Sequence, residues 1–555
     1  MLGFPSAEGH SEGSGWDRRR IGPVYGASGM VASAHPLVTS AGIDVLRDGG
    51  NAVDAAVAAA VVASVVMPEM CGLGGDLFAI VHDPASARTL SFLGSGIAPR
   101  SATIGQMRAA GEDGRMPYHG LLAVGVPGMV DGYFAMLGRF GSMPFARLAE
   151  QAVDYAERGH PLTADCAAAI DENRGLLASF PSSAAVFLPG GDPPRAGGIL
   201  RQPDLARTLR TVAAEGADAF YRGSIARRIA AWMAGNGGAM TAEDLAGHRT
   251  DVGQPISTTY RDHVVHQTGL PTQGMILLES LNIVEQANPG IARVDSADWT
   301  HLLVEAKKLA YADRLGFAAD PAFAAEPSGF LLSKAWAGRR AALIDMARSA
   351  EGVPAGAHEA GDTTHLCVVD GDGMMVSLIQ SVSSAFGCGV VAGDTGIVLN
   401  NRVGRGFSLD EGHPNIFAPG KKTMHTLNCF LIADASGTPV LVGGTPGGDG
   451  QPQWNLQMIS ALIDGGRDVQ AAIETPRWTS WPGTDPLSLP NRCELRTEDR
   501  CGEPTMADLA ARGHRVVRQG AWAGGGAAQL IARDPATGVL AGGSDPRVEG
   551  MAAGF

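Results

Sequence analysis

Little in these 555 residues suggests a metal, a nucleic acid or a membrane as partner. The seven cysteines (71, 166, 367, 388, 429, 493 and 501) form no CxxC pair and no Cys/His metal spacing. Their odd number reads as reduced, mostly buried thiols, which sets the expectation of a cytoplasmic protein. No metal and no cofactor is expected. Basic runs are missing apart from Arg18-Arg19-Arg20, and the net charge is -14, so a nucleic-acid surface is excluded. The triplet reads as part of a disordered, solvated N-terminal arm over residues 1–27. Met1 to Gly29 lacks the apolar core of a secretory signal. The most apolar run, Ala52 to Met67, is interrupted by Asp54 and Ser64 and is too short and weakly apolar to span a bilayer. It reads as a small-residue helix buried between layers. Gly72 to Gly75 lacks the Lys-Ser/Thr of a phosphate loop and reads as a pocket wall or turn. There is no repeat and no low-complexity domain.

What is present is a large apolar supply with many turns: 45% hydrophobic residues and 76 glycines. The length exceeds one typical domain, but sheets flanked by helices run long. A strand near Met30 to Ala34 leads to a helix over Leu37 to Arg47, stopped by Asp48-Gly49-Gly50. A helix over Ala52 to Val66 leads through Gly72–Gly75 to a strand over Leu77 to His82. From about 100 to 350 the pattern is mostly helical: Phe145 to Arg158, Pro203 to Glu215, Ser224 to Met233 and Ser296 to Ala312. Strands return from Thr363.

The stretch Ala350 to Gly361 has no apolar periodicity and reads as a mobile strap. It ends at Gly361-Asp362-Thr363-Thr364-His365, before the alternating run Leu366 to Asp370. A threonine opening a strand is ordinary, because Thr favours strands. If the chain is cut before it, Thr363 owns both a hydroxyl nucleophile and a free α-amine as its base. Gly371-Asp372-Gly373 supplies a hairpin turn into Met374 to Ser381. A loop centred on Asp372 makes partner numbers sum to 744 and sets Thr363 opposite Ser381. Gly447-Gly448 follows an apolar strand over Val440 to Val442. Paired glycines let backbone N–H groups approach an oxyanion, although a plain structural turn fits them as well.

The chain resembles the γ-glutamyltransferase family of N-terminal-nucleophile hydrolases over nearly its whole length. The matching motifs run in order: Ser28-Gly29-Met30-Val31 with His35-Pro36, Gly49-Gly50-Asn51-Ala52-Val53-Asp54, Gly72-Leu73-Gly74-Gly75-Asp76, Val126-Pro127-Gly128 and Phe220-Tyr221-Arg222-Gly223. Asp362 to His365, Thr395 to Asn401, Pro446 to Gly448, Pro476-Arg477 and Asp545-Pro546-Arg547 follow. The resemblance implies an α+β fold, a four-layer αββα sandwich. It implies a precursor that cuts itself between Asp362 and Thr363 into a large part (28–362) and a small part (363–555). It makes Thr363 the nucleophile and Gly447 and Gly448 the oxyanion hole, and it places Ser381 where the family has its second threonine. His35 and His365 are expected to serve structure, since the family uses no histidine base.

Several family features are replaced. No arginine precedes Ala98-Pro99, no acid follows Asn400-Asn401, and Ser383 stands for an asparagine. His425-Thr426 replaces a Ser-Ser pair. Gln380-Ser381, Phe407 to Asp410, His425 to Asn428 and Gly448 to Gln453 are similar to γ-glutamyltransferase-like amidohydrolases and acylases, the branch of the oxamate amidohydrolases. Ser383, Arg402, Arg405, His425 and Thr426 are the expected substrate contacts, with solvated loop charges as the alternative for the two arginines. The expected activity is hydrolysis of a small amide. A γ-glutamyl hydrolase or transferase, a cephalosporin-type acylase and a non-catalytic scaffold remain open. The expected partners are a small-molecule amide substrate and the chain's own second fragment in a heterodimer, open to further dimerisation.

Overall fold

Along Leu366-Cys367-Val368-Val369 successive side chains enter two different apolar layers, as a strand's period of two requires. Leu366 and Val368 join a core filled by helices. Cys367 and Val369 join a smaller core shared with Leu431, Val442 and Ile531. The computed structural model describes residues 1–4, 22–287, 293–350, 363–481 and 493–555. Two seven-stranded sheets are stacked on that smaller core. The first runs Met551–Gly554, Gly29–Ser33, Thr364–Asp370, Met375–Ser381, Asp76–Asp83, Arg88–Gly94 and Asp251–Gly253. The second runs Val24–Gly26, Leu540–Ser544, Gln529–Arg533, Pro439–Gly444, Cys429–Ala433, His263–Gln267 and Ile256–Tyr260. Helices Pro36–Arg47 and Ala52–Val66 share the apolar core on the outside of the first sheet. Helices Gly274–Ala287, Ala297–Phe317 and Gln451–Ile463 do the same on the second. The order is αββα, as the resemblance implies.

The small-residue helix Ala52–Val66 is buried along its whole length. Asp54, which breaks the apolar run in the sequence, is a capping residue. The Asn51 side chain accepts from the Val53 and Asp54 N–H groups, and the Asp54 carboxylate accepts from the Asn51 N–H. The same carboxylate takes the Ser142 and Met143 N–H groups, so its burial is paid for by hydrogen bonds.

Two sequence expectations change. Residues 24–26, counted in the arm 1–27, pair with Leu540–Ser544 as an edge strand. Gly3 also bridges to Asp468. Residues 5–21, with the arginine triplet, lie outside the described residues, and so do 351–362, which hold the strap and Asp362. The region expected to be mostly helical contributes Ile256–Tyr260 and His263–Gln267 to the second sheet. Ile256–Tyr260 is an edge strand with Ser257 and Thr259 outward, so its apolar signal is weak. The seven cysteines are all unpaired thiols, five of them buried. Among the described residues no helix is long and apolar enough to cross a membrane.

Gly75 touches the end of the nucleophile hairpin. A Cβ there would lie 2.3 Å from the Ser381 carbonyl oxygen. Gly75→Ala should therefore lower unfolding stability by about 1–3 kcal/mol, as overpacking does. Gly138 lies inside helix Met129–Phe140 with open space around it, so Gly138→Ala should gain about 0.4–1 kcal/mol. Denaturant unfolding of the two variants measures the contrast, and equal effects would disprove the contact.

Candidate functional site

The hairpin has the register read from the sequence. Thr364 pairs with Gln380 and Leu366 with Leu378, so the partner of Thr363 by extension is Ser381. Ser381 in turn pairs with Asp76 on the neighbouring strand. Thr363, Ser381 and Asp76 thus share one end of the first sheet. Thr363 is buried, yet it lines a cavity. The Ser381 Oγ accepts from the Ser383 N–H at 2.7 Å. Ser383 has φ +91°, a left-handed conformation that serine rarely adopts. Such strain costs on the order of 1–3 kcal/mol and persists only where the surroundings enforce it.

Gly447 lines the same cavity as Thr363. Its φ is +124°, and a Cβ would lie 2.1 Å from the Trp454 ring, so only glycine fits. Gly448 starts a 3-10 turn that runs into helix Gln451–Ile463. N–H groups at such an end lack helical acceptors and favour negative charge. The Gly448 carbonyl is held by the Gln273 Nε2 at 3.0 Å. The neighbouring Asp449 is buried. The Asp449 carboxylate meets Arg314 at 2.6 Å, both buried, and its carbonyl accepts from the Tyr311 hydroxyl. Sequence reasoning missed Gln273, Tyr311 and Arg314. Tyr311 and Arg314 lie in helix Ala297–Phe317 and Gln273 just before helix Gly274–Ala287, all far away in sequence, and no local pattern marks them.

Near Ser381 the expected contacts form a buried polar cluster. Arg402 and Arg405 lie on the short helix Arg402–Gly406, and both are buried. They are not solvated loop charges. The Arg402 Nε donates to Asp76 at 2.9 Å, and the Arg405 Nη1 donates to the Ser383 carbonyl at 2.8 Å. His425 lies 4.0 Å from the Asp76 carboxylate. Burial and the Arg402 charge hold its imidazole well below its ordinary range, so it is neutral. The Gln273 side chain donates to the Thr426 carbonyl, which ties this pocket to the glycine turn. Four of the five expected contacts present buried polar atoms that have no partner among the described residues: Ser383 Oγ, Arg402 Nη2, both ring nitrogens of His425, and Thr426 Oγ1. The Arg402 guanidinium faces the Asp76 carboxylate within this buried cluster. Asp76 was part of a quoted glycine motif, but sequence reasoning gave it no role.

The two other histidines behave as structural groups. His365 bonds to Ser377 at 2.9 Å, and the Nδ1 of His35 caps helix Pro36–Arg47 by accepting from the Leu37 N–H. Gly74 and Gly75 pack on the backbone of residues 398 and 381, as a wall or turn would. Among the described residues, one cluster has metal-type ligands, His301, Glu305 and His514. Its atoms already bond to one another, and the Lys308 ammonium sits 2.7 Å from Glu305, where it opposes a cation.

This geometry has counterparts. The gamma-glutamyltranspeptidase family model matches residues 38–555. The chain belongs to the γ-glutamyltranspeptidase family. The glutathione hydrolase-like YwrD proenzyme of Bacillus subtilis (strain 168) is 38% identical, over 96% of this chain and 99% of that protein. The oxamate amidohydrolase proenzyme of Klebsiella pneumoniae is 36% identical, over 95% of this chain and 98% of that one. The crystal structure of a cephalosporin acylase from Bacillus halodurans superposes with a TM-score of 0.89 at 34% identity, over 100% of this chain and 99% of that one. The protein is a hydrolase of this family, and its relatives are proenzymes.

Burial pushes the Asp76 carboxyl up to about 6, against the opposing pull of Arg402. A raised acid contributes stability that is full below its ordinary 3.8 and is lost as pH rises through about 6. Asp76→Asn removes that slope. Denaturant unfolding at several pH values should show the parent losing stability relative to Asp76→Asn between about pH 4 and 6. A constant difference would refute the buried, charge-shifted carboxyl.

Proposed function

We propose that this family member cuts itself between Asp362 and Thr363 and then hydrolyses a small amide whose acyl half carries one carboxylate. The observation that carries the reading is the buried polar cluster beside Ser381, in which atoms of Ser383, Arg402, His425 and Thr426 have no partner among the described residues. Burying such groups without partners costs free energy, and a bound carboxylate would supply the missing acceptors. In the mature protein the Thr363 Oγ attacks the amide carbonyl while the Thr363 α-amine takes its proton. The oxyanion forms against the Gly447 and Gly448 N–H groups. Collapse expels the amine, which leaves with that proton, and an acyl ester remains on Thr363. Water, deprotonated by the same α-amine, opens the ester and releases the acid. The Ser381 hydroxyl donates to the Thr363 oxygen and keeps it aimed.

Oxamate, for which the Klebsiella relative is named, is one amide of this class. A γ-glutamyl group suits the pocket less well. Its α-ammonium needs an acid, and Asp76, the carboxylate beside these arginines, is already engaged by Arg402. Transfer to a second amine and the cephalosporin-type reading receive no specific support from this pocket.

Purified protein should run as two fragments on a denaturing gel, the smaller beginning Thr-Thr-His. Thr363→Ala should stay at the intact 57.2 kDa and be inactive. An active, uncleaved chain would overturn the reading.

Ser381→Ala should still fold and lose about ten- to a hundredfold in turnover, the 1.5–3 kcal/mol of a hydrogen bond to developing charge. Arg402→Met should cost a similar factor in kcat/KM for carboxylate-bearing amides and much less for neutral ones. Equal losses on both substrate types would remove the carboxylate from the proposal.

A further inference from the structure

Trp454 stands in the first turn of helix Gln451–Ile463 and is only 4% exposed. Long side chains on a helix lean toward its N-terminus, so this indole reaches back over the glycine turn that precedes the helix. Four glycines press on its six-membered ring. A Cβ at Gly447 would lie 2.1 Å from the ring, and one at Gly450 would lie 2.4 Å from it. On the loop near the C-terminal end of the chain, the same distances are 2.6 Å for Gly525 and 2.7 Å for Gly526. The ring is thus wedged between the turn 447–450 and the loop 525–526.

The indole is itself held from several sides. Its Nε1 donates to the Thr479 Oγ1 at 3.0 Å, which fixes the plane of the ring. The Arg477 guanidinium lies 5.7 Å from the ring centre and donates to the Gly525 carbonyl at 2.6 Å. The Glu498 carboxylate accepts from the Gly524 N–H at 3.0 Å, so the loop is pinned against the ring. The turn has no such stiffness of its own. Three of its four residues are glycine, which has the widest choice of backbone angles. An oxyanion hole nevertheless needs its N–H donors fixed before the reaction begins.

We infer that Trp454 is a positioning residue for catalysis: its ring is the rigid platform that holds the Gly447 and Gly448 N–H groups where the oxyanion forms. The Gln273 Nε2 steadies the same turn through the Gly448 carbonyl. The inference rests on the proposed function, which gives those two N–H groups the oxyanion and Thr363 the attack. It adds the side chain that keeps a glycine turn from wandering. The glycines at 447, 450, 525 and 526 are then needed for the close approach of the ring as well as for their own backbone angles.

The test is acylation of the self-processed protein by p-nitrophenyl acetate, an activated ester that reports on the oxyanion whatever the natural amide is. The Thr363 Oγ attacks the ester carbonyl, its proton passes to the α-amine, and p-nitrophenolate leaves and is followed by its colour. The rate shown by Thr363→Ala is subtracted. Trp454→Ala should lose about ten- to a hundredfold in the limiting acylation rate, as a displaced donor does, with the half-saturating concentration little changed. Trp454→Phe keeps a flat ring under the turn and should recover most of that loss. Trp454 also lines the cavity at Thr363, so a mere substrate contact would raise the half-saturating concentration and leave the limiting rate alone. That pattern, or a parental limiting rate in folded, processed Trp454→Ala, overturns the inference. If Trp454→Ala does not fold, Thr479→Val decides: it keeps the ring, releases its edge and should cost about two- to tenfold in the limiting rate. A parental rate there overturns the inference. A parent no faster than Thr363→Ala would instead defeat the nucleophile reading, and the inference with it.

Discussion

The pairing of three strands at one end of the first sheet sets the site. Thr364–Asp370 lies beside Met375–Ser381, and Met375–Ser381 lies beside Asp76–Asp83. Backbone hydrogen bonds fix this register, and a slip by one residue would turn every side chain to the other face. The ladder brings Thr363, Ser381 and Asp76 side by side from chain positions about 300 residues apart. The strands before and after residue 363 are interleaved in the sheet. A cut at that point would leave each part lacking the central partners of the other, so the two parts would share one core.

Charge is then distributed around that ladder by burial. On one side Arg402 is buried against Asp76, beside buried atoms of Ser383, His425 and Thr426 that have no partner among the described residues. Such atoms are expensive in a low-dielectric interior unless a ligand completes them. Elsewhere the same cost is met within the protein. Arg477 meets Asp545 at 2.8 Å, Arg547 meets Glu498 at 2.6 Å, and Arg477 also donates to the Gly525 carbonyl. That closed network holds the 523–527 loop that walls the cavity at Thr363. Satisfied buried ions support that wall, whereas in the proposed function the unpartnered polar atoms near Ser381 would meet the substrate.

Much of the hairpin was legible in the sequence, because its information is local. The glycine turn around Asp372, the alternation after Thr364 and the strand period are each written in adjacent residues, and the Asp370 carboxylate closes the turn by accepting from the Asp372 and Met374 N–H groups. The helix Ala52–Val66 was legible for the same reason, down to its ends. The roles of Arg314, Gln273 and Asp449 were not. Each depends on contacts more than a hundred residues apart except Gln273 with Arg314, which spans 41. Isolated arginines read as solvated charges because most arginines are. Nothing local distinguishes Arg402 from Arg100, which is largely exposed at its side chain. The edge strand Ile256–Tyr260 was hidden because its outward positions are polar.

The replaced family residues make physical sense together. No residue between Gly94 and Ala98 offers a cation, and at Gly96 a side chain would have no room, since a Cβ would lie 2.0 Å from the Val126 carbonyl oxygen. A guanidinium cannot enter from that strand end without moving the backbone. The cation comes instead from the helix after Asn400-Asn401, on which Arg402 and Arg405 replace the family's acid. That exchange reverses the sign of the group contributed by this helix. In the proposed function, a position that the family resemblance assigns to an ammonium would take a carboxylate instead, with His425 held neutral beside it. Charge reversal discriminates more strongly than a change of shape, because the wrong ligand brings unpaired charge into a buried site. In the proposed function, the ladder that holds Thr363 would then serve a different acyl group with little alteration.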